Sequence, residues 1–266
     1  WKDNPMRKPL LLRGARQVGK SSAVRHFGKE FQFFAEVNFE RHKTVKTFFQ
    51  GDIDIRLIVQ KIAIYINVPI EEGKTLLFLD EIQECPEAIM ALRFFKEDYP
   101  GLHVIAAGSL LEFTLQKLPT YGVGRIHTLF MYPMTFDEFL NANNENGLIS
   151  MKRQADSQHP LDAAFHEKLI EYFRIYLLVG GMPEAVLAWI KTHNFNKCSH
   201  IQEDIILTYE DDFSKYKKRV SPDQLRTTLH GICHQPGEKI TFKQISADYR
   251  SSQIREAVRL LTLAGL

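Results

Sequence analysis

Short apolar runs alternate with longer amphipathic stretches through the first half of the chain. The runs cover residues 10–12, 33–37, 76–79, 104–107 and 126–130. Runs this short and this strongly apolar predict strands that are buried on both faces. Between them, stretches such as 55–66 and 88–95 repeat their apolar positions at helical spacing. The alternation predicts an α/β fold, with a parallel sheet between two helical layers.

The pattern changes after Pro133, beyond which we find no further strand-like run. Helical spacing predicts helices over 136–140, 163–178, 184–190, 201–209 and 224–233. The segment 141–160 is polar and rich in Asn, Ser and Gln, so we interpret it as a mobile linker. We therefore expect three parts, which are a core at 1–140, a linker and helical lid at 141–212, and a C-terminal segment at 213–266.

Composition indicates a globular protein, with 44% hydrophobic and 25% charged residues. No apolar run approaches the roughly 20 residues that span a bilayer, so we expect no membrane association. Three widely spaced cysteines suit a reducing cytoplasm better than a disulfide framework. The net charge of +2 is too small to indicate nucleic-acid binding by itself. Because the chain opens on Trp1 and ends in mid-pattern, we expect it to come from a longer protein.

The segment 14–21 has the spacing G-x-x-x-x-G-K-[ST], between a predicted strand and a predicted helix. Gly14 and Gly19 permit backbone angles that point successive amides at phosphate oxygens. Lys20 is expected to reach the β and γ phosphates, and the Ser21 hydroxyl is expected to bind Mg²⁺. The alternative is a glycine-rich turn that only caps a helix. The residues predicted to contact a nucleotide are Gly14, Ala15, Arg16, Gln17, Val18, Gly19, Lys20, Ser21 and Ser22.

Two adjacent carboxylates, Asp80 and Glu81, end the buried run 75–79. This is a Walker B pattern, in which Asp80 is expected to hold Mg²⁺ and Glu81 to orient or deprotonate an attacking water. The alternative is an acidic strand end that enters a surface turn. A glutamate directly after the aspartate favours hydrolysis over phosphoryl transfer to a small molecule, because a water must be activated.

Two further polar residues are candidates for catalysis. Ser109 follows the run 104–107 and is placed to sense the γ phosphate, although Ser109 and Glu112 also have the spacing of a helix capping box. Arg125 follows a glycine-rich loop and could act as an arginine finger, either in its own subunit or across a subunit boundary. The alternative for Arg125 is a surface residue beside a turn.

Together these residues resemble the AAA-type ATPase family of bacteria and archaea that carries a C-terminal domain of unknown function. The resemblance rests on the segments 11–20, 79–83, 108–109, 124–125, 133–139 and 180–184. It implies a P-loop ATPase core that binds ATP and Mg²⁺, a catalytic glutamate, a helical lid and a winged-helix segment. Pro183 is similar to the proline of related signalling ATPases that contacts adenine from the lid, but a turn before a helix explains the same residues.

The C-terminal segment 240–266 is typical of a helix, a turn and a second helix, as in a winged helix. Its Gln253, Arg255 and Arg259 are expected to face outward, where they could contact DNA. A winged helix that only packs against protein is the alternative. Basic residues also precede this segment, namely Lys215, Lys217, Lys218 and Arg219.

The leading hypothesis is an Mg²⁺-dependent ATPase whose nucleotide state moves the lid and the winged helix. The main alternative is a DNA-binding regulator that bound nucleotide switches, with slow or no turnover. A small-molecule kinase is a third possibility, but no acceptor pocket is recognisable. We also consider a homo-oligomer or a protein partner.

Overall fold

The computed structural model describes residues 1–109, 111–115, 124–216, 220–237 and 239–266. The chain forms two compact units. The first unit comprises Trp1–Met131 and Thr262–Leu266, and the second comprises Tyr132–Leu261.

The first unit contains a five-stranded sheet in which every neighbouring pair is parallel. Its strands are β1 (Leu10–Arg13), β2 (Phe33–Asn38), β3 (Thr75–Asp80), β4 (His103–Ala107) and β5 (His127–Phe130). The spatial order is β2-β3-β4-β1-β5, so β1 lies between β4 and β5. The predicted parallel sheet is therefore confirmed, and the carboxyl ends of all its strands meet at one edge.

Within its described residues, this unit includes the helices α1 (Lys20–Gly28), α2 (Ile55–Ile66), α3 (Pro86–Asp98) and α4 (Leu111–Leu115). Alternate residues of β3 face opposite helical layers. Leu77 and Leu79 share a buried cluster with residues of α2 and α3. Leu76 and Phe78 share a second cluster with Val24 of α1. The sheet thus has helices on both faces, which confirms the three-layer prediction.

The described part of the second unit is helical. Its helices are α5 (Phe136–Ala142), α6 (Asn146–Gln154), α7 (Ala163–Val179), α8 (Pro183–Thr192), α9 (Phe195–Asp212), α10 (Pro222–Cys233), α11 (Phe242–Ile245) and most of α12 (Ser251–Ala264). Although the sequence pattern placed α5 with the core, α5 belongs here because Phe139 packs in one cluster with Val179 and Trp189.

The segment 141–160 differs from the mobile linker that its composition indicated. It contains helix α6, on which Leu148 and Ile149 are 5% and 8% exposed. These two side chains pack with Leu140 and Leu169 in a separate small cluster. The segment therefore contains a partly buried helix where composition indicated only a linker, because Leu148 and Ile149 pack against these neighbours.

The C-terminal segment contains the predicted helical elements. Helices α11 and α12 follow α10, and Gly231 of α10 lies against Ile245 of α11. Between 220 and 266, leaving out residue 238, the chain forms no strand that could serve as a wing. A winged helix therefore stays a prediction. Lys217, Lys218 and Arg219, which we considered for DNA contact, lie outside the described residues.

Candidate active site

The loop between β1 and α1 has the backbone geometry that its glycines predict. Gly14 has a φ of 143°, and a Cβ there would lie 2.1 Å from the carbonyl oxygen of Met131. Gly19 and Gln17 also have positive φ angles, 95° and 66°. Gly19 is the N-cap of α1 and provides no side-chain cap. The first amides of α1 are therefore available to an anion, as in other helix N-termini that bind phosphate.

The side chain of Lys20 is buried within this loop, with 7% of the residue exposed. Its Nζ donates hydrogen bonds to the carbonyl oxygens of Gly14 at 3.0 Å and Ala15 at 2.7 Å. Burial lowers the pKa of Lys20 from 10.5 to about 8, although the negative charges of Glu81 and Asp80 oppose this effect. A buried cation surrounded by amides and carbonyls is well suited to receive a phosphate group.

Ser21 and Asp80 meet at the carboxyl edge of the sheet. The Ser21 hydroxyl donates to Asp80 Oδ1 at 2.9 Å, and the Asn38 amide donates to Oδ2 at 3.3 Å. Burial is the main cause that raises the pKa of Asp80, and the bonds from Ser21 and Asn38 oppose it. A carboxylate and a hydroxyl in contact are oxygen ligands of the kind that Mg²⁺ takes, so these residues fit the metal.

Sequence reasoning missed two partners of Asp80. Asn38 ends β2 and pairs in register with Asp80, which ends β3. The Nη2 nitrogen of Arg25, which belongs to α1, lies 3.7 Å from Asp80 Oδ2. The same guanidinium donates hydrogen bonds to Glu36 from its Nε and Nη2 nitrogens. The sequence signal that could have identified Asn38 is its position as a polar residue at the end of the strand next to β3.

Glu81 occupies a left-handed backbone conformation, with a φ of 51°. The Gln83 side-chain amide donates to Glu81 Oε2 at 2.5 Å. Left-handed backbone is uncommon outside glycine and asparagine, and it concentrates at functional sites.

Ser109 lies just beyond the end of β4, at the same edge of the sheet. It is 3% exposed, and its hydroxyl has no hydrogen-bond partner among the described residues. The capping box that we weighed for Ser109 is therefore not formed by this hydroxyl. Leu110 and the side chain of Glu112, which complete that motif, lie outside the described residues. A buried hydroxyl without a partner suits a residue that binds a ligand.

Arg125 lies at the opposite edge of the sheet. It precedes β5, which runs parallel to β1, whereas the phosphate-type loop follows β1. The Arg125 guanidinium forms an ion pair with Glu97 near the end of α3. This geometry does not place Arg125 beside the phosphate-type loop of its own subunit. A role across a subunit boundary stays a prediction, and a surface residue beside a turn stays the alternative. Residues 121–123 of the preceding loop are outside the described part.

Pro183 belongs to the second unit, where it begins α8. Gly180 has a φ of 71°, and a Cβ on Gly181 would lie 2.2 Å from the carbonyl oxygen of Met134. The Met134 amide also donates to the Gly181 carbonyl oxygen at 2.7 Å. Both glycines therefore have a structural reason, and adenine contact by Pro183 stays a prediction.

Comparison with known families agrees with this arrangement. A model described as an AAA domain matches residues 6–140. This chain belongs to the AAA domain family. A second model, described as a domain of unknown function (DUF8612), matches residues 170–266. The family resemblance expected from the motifs is thereby confirmed for both parts of the chain.

Solved structures match this AAA protein at low sequence identity. The Walker-type ATPase PABY2304 of Pyrococcus abyssi matches with a TM-score of 0.55 and 14% identity, covering 97% of this chain and 85% of that one. The RuvB Holliday junction branch migration motor of Thermotoga maritima matches with a TM-score of 0.41 and 14% identity, covering 96% and 80%. The comparison with curated proteins found no matching relative.

The family and the P-loop ATPase fold support nucleotide binding and hydrolysis in general terms. In the described ranges, no helix of this AAA protein has the length and apolar character required to cross a membrane. The same ranges hold no group of three or more His, Cys, Asp or Glu residues arranged to bind a metal. A metal at Asp80 would therefore depend on the Ser21 hydroxyl, water and phosphate for its remaining ligands.

Proposed function

We propose that this protein is an Mg²⁺-dependent ATP hydrolase. The observation that carries the proposal is the convergence of Lys20, Ser21, Asp80 and Glu81 at one edge of the sheet. Ser21 and Asp80 are in direct hydrogen-bond contact, although they are far apart in sequence. Their combination with a glycine-containing loop and an uncapped helix N-terminus supports a phosphate site.

Each residue has a separable role in this proposal. The amides of 14–19 and the Lys20 ammonium bind the β and γ phosphates. Ser21 and Asp80 hold the metal, which neutralises charge on the phosphate oxygens when it is bound. The Glu81 carboxylate orients the attacking water and accepts its proton. Ser109 donates its otherwise unpartnered hydroxyl to the γ phosphate or to that water.

We also propose that nucleotide state is coupled to movement of the helical lid and the C-terminal helices. A ligand shifts a conformational equilibrium only when its contacts differ between the two states. Loss of the γ phosphate removes contacts to Lys20 and Ser109, which gives ATP and ADP different effects. In this proposal, Pro183 is the lid residue that would contact the adenine base. We further propose that the protein acts in the cytoplasm and as a homo-oligomer.

DNA binding through α12 has weaker support. Arg259 is occupied by an ion pair with Glu256, at 2.8 Å between Nη2 and Oε1. The Arg255 guanidinium lies over the ring of Phe242, 5.9 Å from its centroid. These contacts are those of a solvated helix face, and they favour packing over recognition of bases. We therefore do not propose a nucleotide-switched DNA regulator, and the experiment below includes a result that would favour it.

The experiment measures ATP and GTP turnover with and without duplex DNA, for the parent chain and Glu81→Gln. We expect the parent to hydrolyse ATP only with Mg²⁺, and Glu81→Gln to bind ATP with turnover reduced at least about 100-fold, as for loss of a general base. Glu167→Gln makes the same chemical change on the exposed surface of α7 and should leave turnover unchanged. Equal rates for parent and Glu81→Gln would refute the proposal, and binding without turnover would favour the regulator.

A further inference from the structure

The side-chain amide of Gln83 lies between the two strand ends that carry the candidate catalytic groups. Its Nε2 donates to Glu81 Oε2 at 2.5 Å, the shortest side-chain link to that carboxylate among the described residues. Its Oε1 is buried and has no hydrogen-bond partner there. One half of the amide therefore holds Glu81, while the other half is an unsatisfied acceptor inside the site.

Gly108 provides the space in which this amide lies. A Cβ on Gly108 would be 2.1 Å from Gln83 Oε1, well inside the contact distance that any side chain tolerates. The φ of Gly108 is not in the left-handed region, so its backbone conformation does not itself require glycine. A side chain at position 108, just beyond the end of β4, would therefore displace the Gln83 amide from its present position.

We propose that Gln83 is the positioning residue of Glu81: its amide fixes the orientation in which the carboxylate receives the proton of the attacking water. This inference rests on the proposed ATP hydrolysis. It adds a residue that acts on the chemical step through Glu81, without contacting the nucleotide.

The direction in which Glu81 is held supports a productive role. The negative charge of Glu81 acts on the buried Lys20 and opposes the effect of burial on the pKa of that lysine. Glu81 therefore lies near the side chain that, in the proposed function, binds the β and γ phosphates. The left-handed backbone of Glu81 sets the direction in which its side chain starts. The hydrogen bond from Gln83 Nε2 holds the carboxylate at the other end. Orientation of this kind accelerates the reaction without strengthening ground-state binding.

The test separates turnover from binding. Gln83→Leu removes the amide, and Gln83→Glu keeps the size of the side chain but replaces the donor with a second carboxylate. For both variants we expect kcat for ATP to fall about 10-fold or more, because a misplaced base loses much of its catalytic effect. The KM for ATP and the calorimetric Kd should stay within about twofold. Gln60→Leu, on the exposed surface of α2, is the matched control and should not change kcat.

Gly108→Ala provides an independent test that leaves Gln83 in the chain. Its Cβ would displace the Gln83 amide, so we expect a similar fall in kcat for this variant alone. In the Gln83→Leu background the same substitution should have little further effect, because the two changes disturb one contact. A thermal unfolding scan of every variant verifies that the chain is folded.

Two results would overturn the inference while leaving ATP hydrolysis intact. The first is a kcat of Gln83→Leu or Gln83→Glu within twofold of an active parent chain. The second is a fall in kcat together with a proportional rise in the Kd for ATP, because that combination would indicate general damage to the site. Absence of turnover in the parent chain itself would instead refute the proposed function.

Discussion

Raising the pH should weaken ATP binding, because the phosphate-binding lysine is already close to losing its proton. Burial lowers the pKa of Lys20 to about 8 from its ordinary 10.5. Only the protonated side chain provides a positive charge for the β and γ phosphates. Bound phosphate should return the pKa of Lys20 toward its ordinary value, since a nearby anion stabilises the cation. Each binding event at high pH must therefore take up a proton.

The magnitude follows from these two pKa values. If phosphate fully restores the ordinary pKa, the apparent Kd for ATP rises about 20-fold between about pH 7.5 and about pH 9.5. Below about pH 7 the lysine is protonated in both states, so its contribution to pH dependence disappears. The window lies above the pH at which the terminal phosphate ionises, so that titration does not interfere.

The assay is calorimetry of ATP binding with Mg²⁺ over this pH window. Lys20→Arg keeps its charge throughout, so its binding should be weaker than that of the parent but nearly independent of pH. Lys29→Arg makes the same change at an exposed lysine and should reproduce the parent curve. A parent Kd that stays constant up to about pH 9.5, or a Lys20→Arg curve as steep as that of the parent, would refute the reasoning.

The same pKa has a consequence for folding stability. The unfolded chain binds a proton at Lys20 more tightly than the nucleotide-free folded chain does, so the free energy of unfolding should rise as the pH increases from about 8 to about 10.5. The upper limit of this contribution is about 3 kcal/mol. It is measured as the difference between urea unfolding of the parent and of Lys20→Met, whose side chain does not titrate. A difference that does not change with pH would contradict a buried lysine.

Four substitutions test other parts of the structure. Gly14→Ala places a Cβ 2.1 Å from the Met131 carbonyl oxygen, so thermal unfolding should occur several degrees lower and ATP binding should be lost; a parent-like melting curve would show that the loop adapts. Ser109→Ala removes a buried hydroxyl without a partner, so turnover should fall while stability is equal or higher, and unchanged turnover would remove Ser109 from the site. Leu148→Ala should cost about 2–5 kcal/mol in urea unfolding of the second unit, whereas a cost below about 0.5 kcal/mol would restore the mobile linker. Arg125→Ala should slow turnover only under conditions in which the chain self-associates, as sedimentation combined with rate measurements would show.

Much of the first unit could be predicted from sequence. The runs of β3 and β4 have few alternative structures, because a strand buried on both faces must be largely apolar. The edge strand β5 is different: three of its four residues are exposed, so the burial that its run predicted was wrong. Ile55–Ile66 begins and ends as its helical spacing indicated. The phosphate-type loop was equally clear, since its glycines, lysine and serine have separate requirements at fixed offsets.

Contacts between distant segments were harder to predict. Asn38 is one polar residue among many, and only the register of β2 against β3 brings it to Asp80. Gln83 depends on the left-handed turn at Glu81 and on the space beside Gly108. The position of Arg125 was within reach of sequence reasoning, because a loop that precedes a parallel strand lies at the edge opposite the strand ends.

The second unit shows a different limit. Helix α6 contains more polar than apolar residues, and its stability comes from Leu148 and Ile149 packing against side chains of other helices. Composition alone could not indicate those partners. Tertiary packing here outweighs local preference, as is common for short helices.

The central claim is that a purine triphosphate binds in the loop 14–22, opposite a metal held by Asp80. Calorimetry of the folded chain with ATP and with GTP, in the presence and absence of Mg²⁺, tests this claim most directly. We predict a saturable heat for ATP that Mg²⁺ strengthens and that Lys20→Met abolishes. Absence of heat with every triphosphate, or an unchanged heat for Lys20→Met, would contradict it.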